Sequence, residues 1–125
     1  MSNTRQKGIA FLTKVMGTIA PSEIAVSKHY PADQSWTKEP TWWFDLPVDK
    51  IRRNQNKYYY LLGESEHGDF VILKVPIVFL QDNIDSFDIL NEATLRLHIT
   101  SEGDDIYIDK RGTGQINFSG FLQEL

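Results

Sequence analysis

No cysteine occurs among the 125 residues, which excludes disulfides, thiolate zinc and cysteine nucleophiles. A reducing, cytoplasmic setting is the expectation. No apolar run reaches the roughly 20 residues that a membrane-spanning helix needs. The longest, Val71 to Leu80, is broken by Lys74 and Pro76. At the N-terminus Arg5 and Lys7 precede Ile9-Ala10-Phe11-Leu12, but Thr13 and Lys14 interrupt that stretch, so it reads as a helix and not as a secretory leader. Neither a repeat nor a low-complexity tract is present, and 5 prolines and 8 glycines are too few for a fibre or a disordered tail. With 41% hydrophobic, 24% charged and 12% aromatic residues, the chain reads as one globular domain spanning 1–125, large enough to hold a core without metal.

The net charge of −4 is unevenly spread. Residues 1–60 carry nine Lys/Arg against five Asp/Glu, and residues 61–125 carry four against twelve, so the halves stand at +4 and −8. Net acidity disfavours nucleic acid as a partner, because phosphate contacts supply most non-specific affinity. A local exception is Lys50, Arg52, Arg53 and Lys57, four cations in eight residues. They form a candidate anion-binding segment, or a solvated connection between strands.

The spacing of Ile9, Leu12, Val15, Met16 and Ile19 predicts an amphipathic N-terminal helix, capped by Asn3 or Thr4 and ended by Pro21. Strands are expected at Trp42–Leu46, Lys57–Gly63, Asp69–Val75, Thr94–Thr100 and Ile106–Asp109, with a short addition at Ile24–Val26. Glu64 to Gly68 joins two of them as a hairpin turn, and a second hairpin turns at Glu102-Gly103-Asp104. Pro76 opens a short helix to Gln81, and Asp82 to Glu92 reads as an acidic loop anchored by Ile84, Phe87 and Leu90. Phe118, Phe121 and Leu122 pin a C-terminal turn. The fold class is α+β: an N-terminal helix and short helices on a mainly antiparallel sheet of about five strands.

Several catalytic patterns fail on inspection. The element order is similar to that of restriction-endonuclease-like nucleases, whose metal cleft needs an acid on one strand and Glu/Asp-x-Lys on the next. Asp45 or Asp69 can supply the first acid and Lys74 the lysine, but Ile72 stands where the second acid is required. His29, His67 and His98 lack the spacing of a helical metal site, and Asp82, Asp85 and Asp88 lack the ligand order of a calcium loop. Arg111-Gly112-Thr113-Gly114 reads as a turn, not a phosphate fingerprint, and no Gly-x-Ser-x-Gly elbow occurs. No catalytic residue, metal or cofactor is expected.

Aromatic density is the positive signal: Trp36, Trp42, Trp43, Phe44, Tyr58, Tyr59 and Tyr60. Strand alternation sends Trp42, Phe44, Leu46, Tyr59 and Leu61 inward, with Leu95, Leu97 and Ile99. It sends Trp43, Asp45, Tyr58, Tyr60, Lys74, Arg96, His98, Tyr107 and Asp109 outward. Trp43, Tyr58, Tyr60, Arg96, His98 and Tyr107 therefore form the candidate binding surface, since rings mixed with Arg and His are what interfaces and planar-ligand sites use. Alternatively, the proline-rich segment to Pro40 folds over these rings as a second small core.

The run Ser35-Trp36-Thr37-Lys38-Glu39-Pro40-Thr41-Trp42-Trp43-Phe44, with Leu73-Lys74-Val75-Pro76 and Asp109 through Phe118, resembles small uncharacterised bacterial proteins encoded on mobile elements such as integron gene cassettes. That resemblance implies a bacterial cytoplasmic accessory protein and no particular chemistry. The functional expectation is a non-catalytic binding or protein-interaction module that pairs with itself or another protein through the outward face. A small ligand on that face, a small enzyme or an RNA-binding protein is the alternative.

Overall fold

The computed structural model describes residues 3–35, 38–53, 57–103 and 106–124. Trp36 and Thr37 lie outside them, as does Asp104 of the second expected turn. Helix α1 (Thr4–Met16) begins where Asn3 Oδ1 accepts the Gln6 N–H and ends at Gly17, whose φ of 85° stops the helix before Pro21. Leu12 and Gly8 face the protein and Val15 faces water, so the apolar stripe is narrower than the spacing suggests.

Among the described residues, six strands form two three-stranded sheets, not one sheet of five. Strand β1 (Ile24–Ser27) runs parallel to β3 (Tyr58–Glu64), which pairs antiparallel with β4 (Phe70–Pro76). The second sheet is antiparallel: β2 (Thr41–Pro47) and β5 (Asp88–Leu90) flank β6 (Thr94–Thr100). The expected β3–β4 hairpin closes at Ser65, whose N–H donates to Asp69 O and whose Oγ accepts the N–H groups of His67 and Asp69. Helix α2 (Val48–Arg53) occupies what reads as a plain connection, and α3 (Ile77–Asp82) follows Pro76. Among the described residues no helix is long and apolar enough to cross a membrane.

The sheets pack face to face. Trp42, Phe44 and Leu46 of β2 and Leu95, Leu97 and Ile99 of β6 meet Tyr59 and Leu61 of β3 and Leu73 and Val75 of β4. The inward residues are those that alternation assigns. On the other side of the first sheet, α1 covers Ile24, Tyr60, Leu62, Phe70 and Ile72. The layers are thus helix, sheet and sheet, and each outer face serves a different purpose.

Three local expectations change. Asp82–Glu92 contains β5, and Leu90 is exposed instead of anchored. Ile106–Asp109 is not a strand: Tyr107 takes φ 60°, and only single bridges join Ile99 to Asp109 and Ile108 to Asn117. Asp109 is fully buried, contrary to its outward assignment. The C-terminal segment then runs beside both sheets. Lys110 N–H donates to His98 O at 2.8 Å beyond the end of β5, and Gln123 N–H to Ile72 O at 2.9 Å along β4.

Burial sets the first test. Leu97→Asp places a charge at a position of zero exposure and is expected to cost more than about 4 kcal/mol. Arg96→Ala, on the other face of the same strand, is expected to cost about 1 kcal/mol through its part-exposed ion pair. Equal losses in urea denaturation would contradict the strand's orientation.

Candidate functional site

Alternation determines which side of its own sheet a residue faces, but not which sheet its strand joins. Trp43, Arg96 and His98 lie on the outer face of the β2–β6–β5 sheet. Tyr58 and Tyr60 lie on the far side of the other sheet, packed with α1. The six candidate residues therefore do not share a surface. Tyr107 joins neither group, because its positive φ turns the ring onto Trp42, at 5.8 Å between centroids and 13° between planes.

What the sheet does bring together is two rows across β2, β6 and β5. In the first, Trp43 stands opposite His98, with rings stacked at 4.9 Å and 11°. Tyr30 covers the other face of the indole at 3.9 Å and 11°, and Lys28 Nζ sits 5.0 Å over the tyrosine. Trp43 Nε1 donates to Thr41 Oγ1, and its backbone N–H donates to Ser27 Oγ at 2.8 Å. Both flat faces of the indole are occupied by protein rings, so a planar ligand cannot stack on it. Trp43 as a whole remains partly exposed. The loop thus covers the tryptophan in part, through Tyr30.

In the second row, Asp45 and Asp88 stand on either side of Arg96. Asp88 Oδ2 accepts from Arg96 Nε at 2.9 Å and from Arg111 Nε at 2.6 Å. The Arg111 hydrogen bond, with Arg96 adding to it, holds the Asp88 carboxyl below its ordinary range despite some burial. Arg111 reaches this place because its loop is folded around a carboxylate: buried Asp109 accepts the backbone N–H groups of His98, Arg111 and Gly112 at 3.0 to 3.1 Å. Burial pushes the Asp109 carboxyl up, and the three donors oppose it. Gly112 is required there, since a Cβ would meet Ser86 O and the Asp109 carboxylate. The Gly-x-Gly run is therefore a packing device.

His98 is ill suited to acid–base work near neutrality. Burial first, then the Arg111 and Arg96 charges, lower its pKa to about 4. The nuclease reading fails on geometry as well: Ile72 is buried under α1, and Lys74 Nζ lies 4.3 Å over the Tyr58 ring.

The cationic segment is spread around α2. Arg53 pairs with Asp49 one turn earlier at 3.1 Å, both largely exposed, and Lys50 Nζ reaches Ser22 O at 3.5 Å. Arg52 lines a cavity of about 340 Å³ with Ile51, Gln81 and Ile84, and Lys57 is exposed. Arg53, Lys50 and Arg52 each have a different neighbour, as on a solvated face. Tyr30, Asp88 and Arg111 belong to the outer-face site without having been singled out for it. No local pattern signals them, because each reaches the site from a different loop or edge.

Depressed protonation of His98 has a definite sign. Its folded pKa of about 4 lies below the unfolded value of about 6.5, so its contribution to stability is complete above pH 6.5 and is lost as pH falls toward 4. His98→Phe keeps a ring on Trp43 but cannot titrate. Urea denaturation at pH 7, 5.5 and 4.5 is expected to show a shallower loss in the variant than in wild type. Parallel losses would contradict it.

No protein-family model, no curated protein and no solved structure matches this chain.

Proposed function

We propose that this protein is a non-catalytic interaction module whose contact surface is the outer face of the β2–β6–β5 sheet, and that a second copy of the chain covers it. The observation that carries the reading is the Tyr30–Trp43–His98 stack standing beside the Asp45–Arg96–Asp88–Arg111 row. Tryptophan, tyrosine and arginine are the residue types that dominate binding energy at protein interfaces. Here they are held in place before any partner arrives. A ring clamped on both faces, and two arginines fixed by one carboxylate, have little freedom left to lose on association.

The charge pattern favours self-association. A two-fold contact pairs a surface with its own copy, so it requires both signs on one patch. Two arginines and two aspartates alternate along this row, and Asp45 is exposed. An antiparallel approach of two such rows sets arginine against aspartate on both sides. A His98 neutral at pH 7 suits a stacking role.

Sedimentation equilibrium at micromolar to tens of micromolar protein is the test. Wild type is expected to sediment as a dimer. Asp45→Arg, at an exposed position that leaves the core untouched, is expected to weaken the dimer by about tenfold or more, the size of a rim-to-core charge reversal. A monomeric wild type would overturn the self-association, as would a dimer indifferent to Asp45→Arg.

A further inference from the structure

A second cavity, of about 340 Å³, opens at the end of the sandwich where β1 and β6 finish and β3 turns into β4. His29 follows β1, Glu66 and His67 sit in the β3–β4 turn, and Ser101 and Glu102 follow β6. The Trp42 ring lies against the same space. His29, Glu66 and Glu102 each bring a ligand atom within 4.8 Å of the other two. Two donors on one tetrahedral zinc ion, at 2.0–2.2 Å each, stand about 3.3–3.6 Å apart. A shift of up to about 1.5 Å, within the reach of a χ rotation of the exposed glutamate side chains, closes such a site.

Three features point to a cation. First, two carboxylates and an imidazole converge from three separate segments. Second, His29 Nδ1 and Ser101 Oγ are buried without a hydrogen-bond partner among the described residues. Buried polar atoms are nearly always satisfied, and a buried imidazole nitrogen with none is suited to a metal or to a metal-bound water. Third, the Ser65 hydrogen bonds hold the backbone of the β3–β4 turn, which keeps the exposed Glu66 side chain within reach of the cluster.

We propose that His29, Glu66 and Glu102 bind one divalent transition-metal ion of the zinc type. One imidazole with two carboxylates is a donor set for Zn²⁺, Mn²⁺ or Fe²⁺, whereas Mg²⁺ and Ca²⁺ take oxygen alone. Three protein ligands leave a position for water, which the cavity accommodates. The ion ties the end of β1, the β3–β4 turn and the end of β6, and therefore both sheets, into one unit. This site is separate from the outer face proposed for self-association, and neither depends on the other.

Isothermal titration of untagged full-length protein with ZnCl₂, MnCl₂ and MgCl₂ tests it. One Zn²⁺ per chain is expected, with Mg²⁺ at least about a hundredfold weaker. Saturating Zn²⁺ is expected to raise Tm by several degrees, because an ion that binds only the folded chain stabilises it. Glu66→Gln combined with Glu102→Gln is expected to lower Zn²⁺ affinity by about a hundredfold or more and to remove the Tm shift. The double variant should melt like wild type in EDTA, which separates a lost ligand from a lost fold. Absence of Zn²⁺ binding to wild type, or undiminished binding to the double variant, would overturn the proposal.

Discussion

The Trp42 indole lies flat against the backbone of β3 at Gly63, and the rest of the structure depends on that contact. A Cβ at Gly63 would overlap the ring, so the two sheets approach this closely only because the position has no side chain. The indole N–H then donates to Glu64 O at 2.8 Å, satisfying the one polar atom of an otherwise buried side chain. That bond orients the strand just before it enters the Ser65 turn. Tyr107 stacks on the same indole and brings the C-terminal segment over the edge of the second sheet. One side chain thus sets the separation of the sheets, the position of the β3–β4 turn and the path of the loop that carries Asp109 and Arg111.

Because Trp42 faces inward, Trp43 must face outward, and the outer-face site follows from that parity. Its neighbours are set by register: His98 opposite Trp43, and Arg96 opposite both Asp45 and Asp88. The Asp109 carboxylate then folds its own loop so that Arg111 reaches Asp88. A buried carboxylate with three backbone donors is a structural element, while the half-exposed Asp88 shared by two arginines belongs to the surface. The same strand ends that position the outer face also place His29, Glu66 and Glu102 around the cavity, with Trp42 against it.

Local signals were legible in the sequence wherever a single strand or turn determined the outcome. The alternation of Thr94–Thr100 identifies Leu95, Leu97 and Ile99 as core, and the polar turn before Phe70 marks its hairpin. Asn3 marks the helix start. What was not legible is non-local. Tyr58–Tyr60 and Trp42–Phe44 read as neighbours on one sheet, yet β3 pairs with β1 and β4, and β2 pairs with β6, so their outward rings point to opposite sides. Asp88-Ile89-Leu90 is too short to show a period and is a strand only because β6 lies beside it. Ile106–Asp109 has the alternation of a strand, but Tyr107 takes a positive φ and stacks on Trp42, and Asp109 turns inward to its three donors. The Tyr30 stack and the His29–Glu66–Glu102 cluster join residues far apart in the chain, with no spacing to reveal them.

A double-mutant cycle on Gly63→Ala and Trp42→Leu tests the contact from which the other placements follow. In wild type the atoms nearest the added methyl group all belong to the indole, and overpacking of this kind costs about 1–3 kcal/mol or more. With leucine at position 42 the obstructing ring is gone. Urea denaturation is therefore expected to show Gly63→Ala strongly destabilising in the Trp42 background and close to neutral in the Leu background, a coupling of about 1–3 kcal/mol. Equal costs in both backgrounds would mean that the indole does not rest on Gly63, and the arrangement of the two sheets described above would be wrong.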